Sequence, residues 1–287
     1  MSKIESVLFD NFIIGDNSPT LIMGVLNLSP ESFYKSSVYE TFESIREAAL
    51  KMISSGALIL DVGARSTAPK SPAISVDEER SRLEPVLEKL CEIIPDNLLL
   101  SVDTQYGEVA QAAYRIASRC NKRMILNDVS GLTTDPDLID FITKNDIPLI
   151  LMASKDKPGD LLTIDEIISQ LRSRIQLLKD KGYDLNKIIV DPGIGHWVKD
   201  KTYQYDLQII ANLEKLRTLQ KPILIALSRK SFIGEVLEIP DPENRLMGSL
   251  CATAVSVYNG AHIVRTHDVN KKLKEIVKMA EAIRRSK

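Results

Sequence analysis

Residues 23–33 read Met-Gly-Val-Leu-Asn-Leu-Ser-Pro-Glu-Ser-Phe, and this stretch decides the fold of the chain. It starts within an apolar run, residues 21–26, that predicts a short buried strand of a parallel sheet. The strand ends at Asn27, and Pro30 cannot extend it because it has no N–H to donate to a neighbouring strand. In a barrel of parallel strands the carboxyl ends carry the chemistry, so Asn27 is the first candidate site residue.

Seven more short apolar runs follow this strand, and helical patterns separate them. The predicted core strands are 21–26, 58–60, 98–102, 124–126, 148–152, 188–190, 222–227 and 262–264. Strict alternation of strands and amphipathic helices is typical of a parallel sheet that helices cover. Eight such units fit an α/β TIM (β/α)8 barrel, with a doubly wound open sheet as the alternative. We favour the barrel because polar or charged groups end seven of the eight strands, which suits one shared rim.

The length of 287 residues suits one barrel, since the fold needs about 250 residues. No linker or low-complexity tract divides the chain, so we predict a single domain over residues 1–287. Residues 1–20 are expected to be an N-terminal lead-in that forms a short hairpin. Two of the later helices are predicted at about 205–218 and from Asp241 to Gly260.

The composition points to neither nucleic acid nor a membrane as a partner. The formal net charge of −2 predicts neither nucleic-acid nor membrane binding, and no apolar run has the length of a membrane span. Cys91, Cys120 and Cys251 are scattered without a C-x-x-C pair, which is typical of reduced thiols. The start of the sequence carries no signal-peptide pattern. We therefore predict a cytoplasmic protein.

Polar and charged side chains gather where the predicted strands end. They are Asn27, Asp61, Asp103, Asn127, Asp191, Ser228-Arg229-Lys230, Arg265 and His267. Each alone is typical of a turn or a helix cap, and Asp61 is expected to be structural, its carboxylate accepting loop N–H groups. His262 is expected in the core. Turn formation does not account for three well-spaced acid or amide groups and two cationic pairs on one rim.

These groups form a site with two halves. Asp103, Asn127 and Asp191 offer hydrogen-bond acceptors and an amide, which suit the edge of a heterocycle rich in N–H groups. The other half supplies cations that suit phosphates, namely Arg229, Lys230, Arg265 and His267. Asn27 can hold Mg²⁺, which prefers oxygen ligands and keeps most of its waters. No Cys/His spacing predicts zinc.

The stretch at residues 23–33 closely resembles the first signature of the dihydropteroate synthases. Further segments resemble the later motifs of that family in the same order, so the resemblance covers most of the chain. They are 101–104 (Ser-Val-Asp-Thr), 127–131 (Asn-Asp-Val-Ser-Gly), 191–195 (Asp-Pro-Gly-Ile-Gly), 228–234 (Ser-Arg-Lys-Ser-Phe-Ile-Gly) and 265–269 (Arg-Thr-His-Asp-Val). The seven-residue identity at 228–234 is a specific match, whereas 127–131 alone would not be.

This resemblance implies a pterin-binding TIM barrel of folate biosynthesis. Such a transferase condenses 6-hydroxymethyl-7,8-dihydropterin pyrophosphate with 4-aminobenzoate or a related arylamine and releases pyrophosphate. Mg²⁺ is the implied cofactor, and a homodimer the implied assembly. The residues that would bind the pterin are Asp103, Asn127, Asp191 and Lys230. The pyrophosphate and its Mg²⁺ would be held by Asn27, Arg265 and His267.

The resemblance also implies catalytic and acceptor-binding residues. The catalytic roles fall to Lys230, Asp103 and Arg265, and the implied arylamine contacts are Thr67, Pro69, His196 and Ser231. The second loop departs from the family pattern Gly-Gly-Glu-Ser-Thr-Arg-Pro-Gly. Arg65 stands where the family has glutamate and Ala68 where it has arginine, while His196-Trp197 replaces Phe-Gly.

Two interpretations of these departures stay open. Losing an arginine removes a bidentate carboxylate partner, and Arg65 moves positive charge along the loop. An archaeal-type variant with a larger acceptor, such as the ribofuranosyl-aminobenzene phosphate of methanopterin-type cofactors, would fit. Drift of the loop with aminobenzoate retained fits about as well. The alternative functions are a pterin-dependent methyltransferase, against which Arg265, His267 and Asn27 argue, and a pterin-binding paralogue without synthase activity.

Overall fold

The computed structural model describes residues 3–9, 12–29, 41–66, 71–195 and 198–286. Within these ranges the strands are β1 (Glu5–Phe9), β2 (Phe12–Gly15), β3 (Leu21–Asn27), β4 (Ile59–Gly63), β5 (Leu99–Asp103), β6 (Met124–Asp128), β7 (Leu149–Met152), β8 (Ile188–Asp191), β9 (Leu224–Ala226) and β10 (Ile263–Thr266). The helices are α1 (Phe42–Ser54), α2 (Val76–Ile93), α3 (Gly107–Arg119), α4 (Asp137–Lys144), α5 (Ile164–Asp180), α6 (Tyr203–Ala211), α7 (Ser231–Leu237), α8 (Leu246–Tyr258) and α9 (Lys271–Arg285).

Strands β3 to β10 form one parallel sheet in the order β8-β7-β6-β5-β4-β3-β10-β9. Its two edges meet at a parallel bridge between Val190 of β8 and Ile223, which directly precedes β9. A helix follows each strand of the sheet, so the predicted (β/α)8 barrel is confirmed and the open sheet is not.

The barrel interior has an apolar layer below a polar one. The apolar layer includes Met23, Ile59, Leu99, Ile125, Ile150, Ile189, Leu224 and Ile263, all buried. Alternate residues of a strand point to the same face. Two positions after four of these apolar residues, the same face therefore presents Asp61, Ser101, Asn127 and Arg265. This polar layer forms the floor of the opening at the carboxyl ends of the strands.

The N-terminal lead-in closes the amino end of the barrel. Strands β1 and β2 pair antiparallel, as the predicted hairpin requires, and Leu8 and Ile14 pack against the apolar layer. His262 is buried in this region, as predicted, and its Nδ1 accepts a hydrogen bond from the Ile223 N–H at 3.1 Å. The hairpin therefore seals the end of the barrel opposite the rim.

Two helix predictions are wrong in their bounds. Helix α6 ends at Ala211 and a 3-10 helix, Leu213–Leu219, takes the rest of the range predicted as one helix over 205–218. Helix α7 was missed, and Asp241 caps only the 3-10 helix Pro242–Asn244 ahead of α8. Glu238 ends α7 in the left-handed conformation, which side-chain periodicity does not reveal. None of the helices in the described ranges is long and apolar enough to cross a bilayer.

Candidate active site

The strand register brings the predicted rim residues into one row. Asn27 of β3 pairs with Gly63 of β4, Gly63 with Asp103 of β5, and Asp103 with Asn127 of β6. Across the rim from this row, Asp191 ends β8, while Arg265 lies in β10, the neighbour of β3. The carboxyl ends of separate strands thus meet around one opening, as the sequence predicts.

Asp61 lies at the centre of the polar layer and is completely buried. Its carboxylate accepts hydrogen bonds from Ser101 Oγ at 2.5 Å, from Asn127 Nδ2 at 3.2 Å and from Arg265 Nε at 2.6 Å. The expectation that Asp61 serves loop N–H groups is therefore wrong. The signal that could have found it is period-two alternation, which places Asp61 on the inward face together with Ile59.

Arg265 joins Asp61 to Asp103, because its Nη2 also donates to Asp103 Oδ2 at 2.8 Å. Burial alone would lower the pKa of Arg265, but the two carboxylates outweigh it and raise that pKa, so the guanidinium stays charged. Burial raises the pKa of Asp103 to about 7, against the opposing charge of Arg265. Asp103 therefore changes its charge near neutral pH.

Asp191 and Lys230 form the opposite wall of the site. Asp191 Oδ1 accepts the Gly193 N–H at 2.8 Å, and Lys230 Nζ donates to the Ile194 carbonyl. Burial raises the pKa of Asp191, while Lys230 is the strongest charge opposing that rise. Burial lowers the pKa of Lys230 to about 8 against the attraction of Asp191. These two groups can hold a ring that presents both donors and acceptors.

Two of the residues predicted to bind phosphate as cations have another state in the structure, since His267 is neutral and Arg229 is paired with an acid. Burial, with the nearby charge of Arg265, lowers the pKa of His267 to about 3, so its imidazole is neutral at pH 7. Arg229 makes a two-bond ion pair with Asp268, with both nitrogen–oxygen distances at 2.8 Å, and donates to the Pro242 carbonyl. Arg229 therefore ties neighbouring loops together. His267 can still donate a neutral N–H to an anion.

Arg65 is paired with a buried carboxylate. Its Nε donates to Glu79 Oε2 at 2.6 Å, and its guanidinium carbon lies 4.7 Å from the centre of the Tyr106 ring. Glu79 is completely buried in α2 and also accepts from Thr104 Oγ1 at 2.7 Å. The positive charge that Arg65 brings to the loop is therefore paired with the Glu79 carboxylate. Sequence analysis missed Glu79, whose helical pattern indicates an ordinary solvent-facing acid.

The predicted arylamine contacts are mostly outside the described residues. Thr67, Pro69 and His196 belong to the stretches 67–70 and 196–197, which the described ranges do not include. Ser231 is described, and it is the exposed first residue of α7, directly after Lys230. It therefore stands beside the Lys230 wall of the site.

Asn27 is a suitable but minimal metal ligand. It is half-buried at the end of β3, and its Oδ1 accepts the Ser29 N–H at 3.0 Å. An amide oxygen has a second lone pair for a cation. Among the residues that the structure describes, no group of three or more His, Cys, Asp or Glu side chains is placed to hold a metal ion. This donor set fits Mg²⁺, which takes most of its ligands from water and substrate phosphates.

The comparisons with known proteins place the chain in a family. The model of the family described as "Pterin binding enzyme" matches residues 23–267. A dihydropteroate synthase of Bacillus subtilis is 34% identical to the chain, over 92% of this chain and 88% of the relative. The chain belongs to the dihydropteroate synthase family. The resemblance read from the motifs at the strand ends is thereby confirmed.

Solved dihydropteroate synthases have the same fold. The enzyme of Xanthomonas albilineans with 4-aminobenzoic acid superimposes with a TM-score of 0.82 at 31% identity, covering 98% of both chains. That of Coxiella burnetii in complex with pteroic acid gives 0.82 at 32% identity, covering 99% of both. As a member of this family, the chain is a transferase that moves a pterin-methyl group in folate biosynthesis. A methyltransferase or an inactive paralogue is not favoured.

Proposed function

We propose that the chain condenses 6-hydroxymethyl-7,8-dihydropterin pyrophosphate with 4-aminobenzoate, and that the two halves of its site bind the ring and the leaving group separately. The observation that carries the proposal is that Arg265 of the polar layer donates hydrogen bonds to both Asp61 and Asp103. It offers charged acceptors and a fixed cation on one buried floor. A heterocycle and an anionic leaving group need that combination side by side.

The pterin half of the site consists of Asp103, Asn127, Asp191 and Lys230. The two carboxylates accept hydrogen bonds from the ring N–H and amino groups, and the Asn127 amide supports the same edge. Polar recognition in a buried pocket is selective, because a wrong ligand leaves groups unpaired. Lys230 already donates to the Ile194 carbonyl, so we assign it to orienting the ring and not to removing a proton.

The pyrophosphate half consists of Asn27, Arg265 and His267. The bond between the pterin methylene carbon and the pyrophosphate oxygen breaks, and the electron pair leaves with pyrophosphate. Arg265 supplies a permanent positive charge to the leaving oxygens and His267 an N–H. Mg²⁺, when bound at Asn27, would add positive charge to the same leaving group. The arylamine nitrogen then attacks the methylene carbon and releases its proton.

Retention of 4-aminobenzoate is the acceptor assignment that the contacts support. The altered-acceptor hypothesis counts Arg65 as positive charge moved along the loop, whereas Arg65 is bonded to the Glu79 carboxylate. A related synthase has also been solved with 4-aminobenzoic acid. We keep Thr67, Pro69, His196 and Ser231 as proposed contacts of the acceptor because the family resemblance implies them, and Ser231 directly follows Lys230 at the start of α7.

The function is tested by incubating the protein with the pterin pyrophosphate, Mg²⁺ and 4-aminobenzoate and measuring released pyrophosphate. Release should depend on the arylamine, and Asp191→Asn should abolish most of it. Competition with ribofuranosyl-aminobenzene phosphate compares the two acceptors directly through kcat/KM. Absence of arylamine-dependent release, or methyl transfer from a methyl-pterin in its place, would overturn the proposal.

The pH profile of kcat/KM is expected to be bell-shaped around neutral pH. Asp103 carries a negative charge and accepts through both oxygens only when ionised, and its pKa is about 7, so activity should rise as pH increases through that value. Lys230, with a pKa of about 8, loses its charge on the alkaline side and activity should fall. Asp103→Asn should remove the acid limb of the profile. A flat wild-type profile between pH 6 and 9 contradicts this assignment.

We also propose a homodimer that forms through α8 and α9. These helices carry Met279, Ile283, Val255 and Tyr258, which are 63%, 46%, 48% and 38% exposed around an apolar groove. Contiguous apolar patches of this kind usually mark interfaces, and a two-fold dimer would bury the same patch on both copies.

Free Cys91, Cys120 and Cys251 suit a reducing compartment, and support a cytoplasmic location.

Met279→Glu is expected to convert the dimer to a monomer, because it would place a charge in the middle of the apolar interface. Sedimentation velocity over a concentration range measures the change. The control is Ile13→Glu, an apolar residue of β2 that is 43% exposed and distant in sequence from α8 and α9. A wild-type protein that stays monomeric at high concentration contradicts the assembly.

A further inference from the structure

Lys201 and Asp206 form a buried ion pair next to the wall of the site that Asp191 and Lys230 make. This wall is called the pterin wall below. Both side chains are completely removed from solvent, and Lys201 Nζ lies 3.5 Å from Asp206 Oδ1. Lys201 lies two residues before the start of α6, and Asp206 belongs to the first turn of that helix. A buried ion pair adds little to the stability of a protein, because the cost of removing two charges from water can exceed the attraction between them. The role of the pair is therefore indicated by the residues that it contacts.

The pair holds both ends of the segment 193–195. Lys201 Nζ donates to the Gly193 carbonyl at 2.9 Å, and Asp206 Oδ1 accepts the Gly195 N–H at 2.9 Å. Gly193 and Gly195 have φ angles of 70° and 138°, which favour glycine. This irregular backbone segment is thus held by two side chains, one just before α6 and one in its first turn.

The same segment carries two groups of the pterin wall on its front. The Gly193 N–H donates to the Asp191 carboxylate at 2.8 Å, and the Ile194 carbonyl accepts from Lys230. Any displacement of the segment would therefore move both an acceptor and a donor of the proposed pterin pocket. This connection links the buried pair to ligand binding through only one intervening stretch of backbone.

The charge of Lys201 also reaches Asp191. Three cations face Asp191, namely Lys230, Arg265 and Lys201, and each opposes the rise that burial causes in its pKa. Burial lowers the pKa of Lys201, and Asp206, Asp191 and Asp160 are the acids that face it and oppose that shift. Removing the Lys201 charge should therefore make Asp191 easier to protonate.

We propose that Lys201 and Asp206 are positioning residues of the pterin site, which hold the segment 193–195 so that Asp191 and Lys230 face the ring. The inference rests on the proposed function, because it takes the pterin as the ligand of Asp191. Neither residue touches the ring. Their contribution is to the geometry of the wall and, through Lys201, to the charge of its carboxylate.

The test is the double variant Lys201→Met with Asp206→Asn. It leaves no unpaired buried charge, and the new amide can still accept the Gly195 N–H. We expect a folded protein whose dissociation constant for a phosphate-free pterin, measured by calorimetry at pH 7, rises about tenfold, as loss of a hydrogen bond from a charged group predicts. The pH below which pterin binding is lost should move upward.

The matched control is Asp16→Asn with Arg217→Met, a less buried ion pair near the amino end of the barrel. It should change the melting temperature but neither pterin affinity nor its pH dependence. If the Lys201/Asp206 variant does not fold, Asp206→Glu decides, because it keeps the charge and displaces the Gly195 contact. Wild-type pterin affinity and pH dependence in a folded variant would overturn the inference. Failure of the wild-type protein to bind pterin would instead overturn the proposed function.

Discussion

Replacing Arg65 with glutamate is expected to lower the free energy of unfolding by about 3–5 kcal/mol. Glu79 is completely buried, and its Oε2 accepts a hydrogen bond from Arg65 Nε at 2.6 Å. The substitution removes that cation and places a second carboxylate next to the first, in a position where water does not screen the repulsion. Urea denaturation of the wild type and the variant at pH 7 measures the difference.

A matched control is available on α2, the helix that carries Glu79. Arg80 and Glu84 of α2 form an ion pair at 2.8 Å with side chains that are 33% and 34% exposed. Arg80→Glu makes the same change of charge in a solvated pair, so it should cost less than about 1 kcal/mol. Equal stability of the two variants would contradict the assignment of Arg65 to a buried pair.

Arg65→Glu also distinguishes an effect on stability from an effect on the choice of acceptor. If Arg65 only anchors its loop to Glu79, any Arg65→Glu protein that folds should keep the wild-type preference between 4-aminobenzoate and the larger arylamine. Since Glu79 also bonds to Thr104, the residue after Asp103, some loss of pterin affinity should accompany the loss of stability. A shift in acceptor preference without a loss of stability would revive the altered-acceptor hypothesis.

Arg265→Ala is expected to lower kcat/KM by at least about 10²–10³, the usual effect of removing one group that stabilises a developing negative charge. It should also weaken the binding of a pterin that lacks phosphate. Arg265 donates to both Asp61 and Asp103, at 2.6 and 2.8 Å. Without it, the pKa of Asp103 should rise above its value of about 7, so that Asp103 is protonated at neutral pH.

Calorimetry of a phosphate-free pterin at two pH values tests this coupling. Binding to Arg265→Ala should be weak at pH 7 and recover partly near pH 9, where Asp103 ionises again. The control is His267→Ala, which removes a neutral donor of the pyrophosphate half. That variant should lose turnover and keep the wild-type affinity for the phosphate-free ring. Equal pterin binding by wild type and Arg265→Ala at both pH values would contradict the shared role.

The sequence alone determined the eight-unit barrel and the position of most rim residues. Short apolar runs end at Asn27, Asp103 and Asp191, and parallel strands place such ends at one opening. These signals are local, because an apolar run and the residue that ends it are neighbours in the chain. The family motifs then supplied the roles, since they coincide with those same strand ends.

Tertiary structure alone decided which charges meet. Arg265 and Asp61 are 204 positions apart and share a hydrogen bond across the barrel, and Arg65 finds its partner in the following helix. The neutrality of His267 likewise depends on burial and on the nearby Arg265. Periodicity reports the face on which a side chain lies. The partner and the protonation state depend on the groups that folding buries together, and so they cannot be read from the spacing of residues along the chain.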